Sequence, residues 1–148
     1  MIQLFTELQE KKNVRSNLSA LRASLKEATE EQKAQAIEFV RGHEDLVFGF
    51  LQEEDAKTRK NAALLLGDLA VQNALQPLWK AYTREQTLFV KSAYLEAMKA
   101  LHAEEILSQL KDRLAELEGE PVTEENRKHW EAELRALRAI LLQYEGID

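Results

Sequence analysis

The chain has 148 residues, 45% of them hydrophobic, with no cysteine and a net charge of −6 from 20 basic and 26 acidic residues. That length suits one domain with a core of its own, and the lack of cysteine excludes disulfides, thiolate catalysis and Cys-based zinc sites, which fits a cytoplasmic protein. Charge sums to +1 over 1–42, −2 over 43–85, −3 over 86–120 and −2 over 121–148, and an acidic chain with dispersed bases is a poor unaided binder of nucleic acid.

Room is left for a local basic stripe on the folded surface, above all in the N-terminal third. The N-terminus MIQLFTELQEKKNVR has no apolar signal region, and the longest unbroken apolar run, 62-AALLLG-67, is too short to span a bilayer. The chain therefore reads as soluble and cytosolic, with no membrane partner. Only 5 Gly and 2 Pro interrupt a sequence rich in Ala, Leu, Glu, Lys and Gln, the residues that lose least on entering a helix, so the fold class is all-α.

A first helix is expected within 2–12 from Leu4, Phe5 and Leu8, and a second from Val14, Leu18, Leu21 and Leu25, spaced 4, 3 and 4 apart. Thr29 and Gln32 have capping-box spacing and open a helix over about 30–41, which Gly42 should end in a left-handed conformation. A short helix carries Leu46, Val47, Phe50 and Leu51. Asp55 stands as N-cap of a helix reaching Leu69, Asn73 starts another, and Thr87 opens one running to Leu101. A helix over 103–118 follows, stopped by Gly119 and Pro121. Thr123 then begins the longest helix, 124–145, whose apolar residues Trp130, Leu134, Leu137, Leu141 and Tyr144 keep one stripe until Gly146 ends it. No window alternates with a two-residue period, so no strand is expected.

Displacing the sequence by 32 residues aligns Arg59 with Lys91, Ala62 with Tyr94, Ala63 with Leu95, Leu66 with Met98 and Leu69 with Leu101. Beyond the loop, the same register pairs Ala74 with Ile106, Leu75 with Leu107, Leu78 with Leu110 and Tyr82 with Leu114. A two-helix period in the low thirties is the mark of an α-solenoid. The stretch 59-RKNAALLLGDLAVQNALQPLWKAY-82 resembles a HEAT repeat of the short bacterial kind named after phycobilisome lyases. Arg59, Ala62, Ala63, Leu66, Gly67, Leu69, Ala74, Leu75 and Leu78 fall on its pattern positions, while Thr58 replaces a usual valine. In the copy at 91–114, Lys99 replaces the glycine.

The resemblance implies an α-α superhelix of about three helical hairpins filling one domain, 1–148, with its clearest repeat at 55–84, a degenerate repeat at 86–118 and a C-terminal capping helix at 123–146. The chain also reads as an N-terminal module of a larger protein. Gly67 lies on the last turn of its repeat's first helix, where a missing Cβ would let the returning helix pack closely, in compensation for about 1 kcal/mol of helix propensity.

Single residues offer little chemistry. His129 shares a helical face with Glu125 and Glu133, a spacing able to hold a divalent metal, yet it lacks a second histidine, and ion pairing on a solvated face accounts for it equally. His43 and His102 are expected in solvent at helix termini. The pairs Glu104-Glu105 and Glu124-Glu125 and the run Glu53-Glu54-Asp55 complement helix dipoles. No nucleophile elbow, phosphate loop or dinucleotide fingerprint occurs, so no catalytic residue, metal or cofactor is assigned. Trp79 and Trp130 are expected to be at least partly packed.

In HEAT-like solenoids the second helices line the concave surface, so the resemblance implies that Gln76, Lys80 and Thr83, with Ser108 and Asp112 in the next repeat, face a partner. The function it implies first is a non-catalytic scaffold for protein–protein interaction, alone or as the accessory domain of a larger enzyme such as a nucleic-acid-modifying methyltransferase. Two alternatives stay open: a HEAT-like nucleic-acid-binding protein or DNA glycosylase, and a bilin-lyase-like protein.

Overall fold

A computed structural model describes residues 1–145, and Gly146, the expected end of the last helix, lies outside them. Among the described residues the chain is all-helical, without a strand: α1 (Ile2–Gln9), α2 (Val14–Leu25), α3 (Glu30–Gly42), α4 (Glu44–Gly49), α5 (Ala56–Asp68), α6 (Leu75–Arg84), α7 (Leu88–Ala100), α8 (Leu107–Gly119) and α9 (Arg127–Glu145). Short 3-10 turns at Phe50–Gln52, Gln72–Ala74 and Glu104–Ile106 join some of them.

The caps explain several boundaries. Thr29 and Gln32 form a complete capping box, with Thr29 Oγ1 accepting from Gln32 N at 3.1 Å and Gln32 Oε1 accepting from Thr29 N at 3.0 Å. Asp55 caps α5 by accepting from the amide and the hydroxyl of Thr58, at 2.9 and 2.8 Å. The last helix starts later than its sequence suggests. Thr123 and Asn126 exchange side-chain-to-amide bonds across a turn at 124–126, so Glu124 and Glu125 precede the helix instead of lying in its first turn.

Gly42 does not end α3 with a positive φ, because the chain turns straight into α4 through His43, at φ −137°. Among the described residues the left-handed ones are Lys11, Asn13 and Ala70, none of them glycine. Ala70, at φ 51°, closes α5: its amide donates to Gly67 O at 3.1 Å and that of Val71 to Leu66 O at 3.0 Å. These two bonds make a Schellman motif with alanine where glycine is usual.

Helices α2, α5, α7 and α9 pack side by side in chain order, and the α5–α7 contact is the most extensive in the molecule. Outside them, α1 lies on α2, the Phe50–Gln52 turn on α5, α6 on α7 and α8 on α9. Thus α6 rests chiefly on the helix that follows it rather than on α5. The core runs through this arrangement, with Leu21, Ala62, Leu66, Tyr94, Met98, Leu137 and Ile140 all buried. Helix α3 joins by stacking Phe39 on Phe5 and on His43, with ring centroids 4.5 and 4.6 Å apart.

The expected role of Gly67 needs a different partner. A Cβ built on it would lie 2.9 Å from the Cα and 3.3 Å from the Cβ of Ala97 on α7. The close neighbour is therefore α7, not the returning helix α6. Ala93 and Ala97 on α7, and Ala62 and Ala63 on α5, are buried as well. Lys99, the residue aligned with Gly67 in the 32-residue register of the sequence, is exposed, so no comparable approach occurs there.

Candidate functional site

Two carboxylates with shielded side chains, Glu85 and Glu133, organise the polar interior, and two of the cations that hold them align in the 32-residue register of the sequence. Arg59 on α5 donates from Nε and Nη2 to the two oxygens of Glu85, each at 2.9 Å, and from Nη1 to the carbonyls of Glu53 and Glu54, each at 2.8 Å. Glu85 also accepts from the hydroxyl of Tyr94 at 3.2 Å and from the amide of Thr87 at 3.2 Å. One guanidinium thus ties the end of the Phe50–Gln52 turn to α5 and to the α6–α7 junction. Burial alone would raise the Glu85 carboxyl, but the bonds from Arg59 and Thr87 more than offset it and hold the group below the usual carboxylate range. Burial and the adjacent Glu85 push the Tyr94 phenol up.

Thirty-two residues after Arg59, Lys91 on α7 donates to Glu133 at 3.1 Å. Glu133 comes from α9 and is 7% exposed. Arg113 on α8 grips it with Nε at 2.9 Å and Nη2 at 3.1 Å, and the hydroxyl of Tyr82 on α6 donates to it as well. Lys91 Nζ sits 5.1 Å from the centre of the Tyr82 ring, within range of a cation–π attraction. Four helices therefore meet on one carboxylate. Burial opposes its ionisation, yet Arg113, Tyr82 and Lys91 together lower it, while burial and Glu133 push Tyr82 well above the ordinary phenol range.

This placement overturns the expected solvated face of His129, Glu125 and Glu133. His129 and Glu125 are exposed, whereas Glu133 points inward. Among the described residues no group of three His, Asp or Glu is placed to hold a metal ion. His43 also departs from expectation: it is half-buried, its Nδ1 donating to Phe39 O at 2.8 Å and its Nε2 accepting from the Gln9 amide at 2.7 Å. His102 is exposed.

Two clefts flank the clusters. A larger one of about 750 Å³ opens over the Arg59–Glu85 pair, walled by Phe48, Pro77 and Ala81, with Lys80, Arg84, Glu53 and Glu54 also lining it. A smaller one of about 450 Å³ opens between α6 and α8 over the Glu133 cluster, lined by Trp79, Tyr82, Thr83, Asp112, Arg113 and Glu116 among others. The five residues expected to face a partner divide between them. Lys80 lines the first cleft, Thr83 and Asp112 line the second, and Gln76 and Ser108 are exposed outside both.

Trp79 is half-buried and leans on Tyr82, with centroids 5.4 Å apart, which makes it a wall of the smaller cleft. Trp130 is half-buried and donates its indole N–H to Leu117 O, tying α9 to α8. The sequence did carry a signal for the cation positions, since Arg59 and Lys91 align in the repeat. Their partners do not follow the register, because Glu85 has Leu117 as its counterpart and the second carboxylate is supplied from α9 instead. No family model matches the chain, and no curated protein or solved structure matches it. No helix of the described residues is long and apolar enough to cross a membrane.

Proposed function

We infer that the chain is a non-catalytic HEAT-like helical-repeat module that binds a partner protein across the face formed by α6 and α8. The observation that carries this reading is the smaller cleft, where the half-buried ring of Trp79, backed by the buried Tyr82, adjoins the polar rim of Thr83, Asp112 and Glu116. Aromatic side chains anchored in a pocket and ringed by polar groups are the usual centre of a binding hot spot. The Glu133 cluster beneath supports it by fixing Tyr82 and Arg113, so little side-chain entropy remains to be lost on binding.

The non-catalytic part rests on the two buried carboxylates. Each has its oxygens engaged by at least one cation and a phenol and is biased toward the ionised form, the opposite of a general acid poised near neutral pH. The solenoid reading rests on the 32-residue register and on the side-by-side packing of α2, α5, α7 and α9. Such a module serves equally as a free-standing scaffold or as the accessory domain of an enzyme acting on nucleic acid.

The test is recovery of partners from nuclease-treated cytosolic extract by the 1–148 chain and its variants. Trp79→Ala combined with Asp112→Lys should abolish recovery of a specific protein, while Arg138→Ala, at an exposed position of α9, leaves it intact. Equal recovery by all three chains would remove the α6–α8 face from consideration.

A further inference from the structure

A third surface lies on other helices and has a different character. A shallow groove of about 700 Å³ runs between α2 and α5, lined by Arg15, Lys57 and Lys60 together with Ser16, Ser19 and Asn61 among others, and by no carboxylate. We propose that this groove binds a phosphodiester strand, holding about three consecutive phosphates of single-stranded nucleic acid.

The charge of the two helices is the starting point. Between them α2 and α5 carry Arg15, Arg22, Lys57, Arg59 and Lys60 against the single acid Asp68, in a chain whose net charge is −6. Two of these cations are spoken for: Arg22 pairs with Asp68 at 2.8 Å, and Arg59 is committed to Glu85 on the far side of α5. The other three line the groove. Lys57 and Lys60 form no ion pair among the described residues, and Arg15 has only a 3.5 Å contact with Asp55, both side chains being about half exposed.

The acidic total does not cancel this cluster, because charges beyond about 10 Å are largely screened at 0.1 M salt. Local sign governs short-range capture. Lys57 and Lys60 stand three apart on α5 and so project from one face of that helix, with Arg15 across the groove on α2, which brackets a narrow chain from both sides. Between the cations lie hydroxyl and amide side chains, Ser19 and Asn61, able to donate to phosphate oxygens. Val14, half-buried, is the one apolar lining residue, so nothing there inserts into lipid, and three cations are too few to hold the broad face of a duplex.

Anisotropy of a labelled twelve-nucleotide single strand, titrated with the 1–148 chain, tests the proposal. With three phosphates neutralised, the log–log salt slope should be about −2, so affinity drops about 16-fold between 50 and 200 mM salt. The triple variant Arg15→Gln, Lys57→Gln, Lys60→Gln should weaken binding at least about tenfold, with its thermal midpoint unchanged because all three side chains lie at the surface. Unchanged affinity in that variant would overturn the proposal, as would no binding at 20 mM salt. Displacement by polyglutamate as effective as by unlabelled strand, or capture by anionic vesicles but not by the strand, would likewise assign the groove to another anion. None of these variants touches the α6–α8 face, so the proposal and the partner-binding reading stand or fall separately.

Discussion

The junction of α5 with α7 and the junction of α9 with the rest of the molecule solve one problem in opposite ways. At the first, Gly67 meets Ala97 with no room for a methyl group, and both helices bury further alanines, Ala62 and Ala63 on α5 and Ala93 on α7. At the second, α9 is fastened through the carboxylate of Glu133, with a lysine, an arginine and a tyrosine on three other helices converging on it. The first contact is specified by shape and tolerates no added volume. The second is specified by charge and tolerates no missing partner. Helix α9 packs on α7 and α8, and the polar clamp ties it to both of them and to α6 as well.

The clamp should give the largest response. Removing one member of a buried ionic group strands the others, at a cost of about 3 kcal/mol, so Glu133→Ala should lower the thermal midpoint strongly. Glu133→Gln keeps the shape and should cost less. A near-neutral Glu133→Ala in a denaturant titration would show that α9 is held by its apolar stripe alone.

The same cluster fixes the response to acid. Glu85 and Glu133 are both held below the ordinary carboxylate range in the folded chain. Their stabilisation is therefore complete above the unfolded carboxylate value, about 4.3, and is lost as pH falls through the folded values. The thermal midpoint should be flat near neutrality and decline below about pH 4.5, with a shallower decline in Glu133→Gln.

At the dry junction, Gly67→Ala sets about 1 kcal/mol of helix propensity against a methyl placed 2.9 Å from backbone. Overpacking should prevail, for a net loss of about 1 kcal/mol, rising to about 2 kcal/mol for Gly67→Val. Lys99→Ala, at the position aligned with it in the 32-residue register of the sequence, should change stability by less than about 0.5 kcal/mol. Equal effects at the two positions would erase the contrast between them.

One effect has the opposite sign. Ala70 occupies a left-handed conformation that glycine adopts without strain, so Ala70→Gly should stabilise by about 0.5 to 1 kcal/mol in the same titration.

The helices themselves were legible, because apolar spacings of three and four residues and side-chain caps such as Thr29 and Asp55 are local signals. What escaped the sequence was long-range. The partner of Gly67 is Ala97, thirty residues away on another helix, and no local pattern distinguishes it from α6. Glu133 looked solvated because His129 and Glu125 share its i±4 and i±8 spacing, yet it is also four residues before Leu137 and seven before Ile140, both buried, and that spacing alone could have turned it inward. Ala70 carried no signal, since neither Gly nor Asn marks the turn. Of the expected binding residues, Thr83 and Asp112 meet in one cleft because α6 and α8 flank it, a relation that the repeat register contains and a single helix does not.

The most direct test of the account is hydrogen exchange on the 1–148 chain with and without its captured protein partner. Added protection concentrated in α6 and α8, over 75–84 and 107–119, is the predicted result. Protection confined to α2 and α5, or spread evenly over the helices, would contradict a partner site on the α6–α8 face.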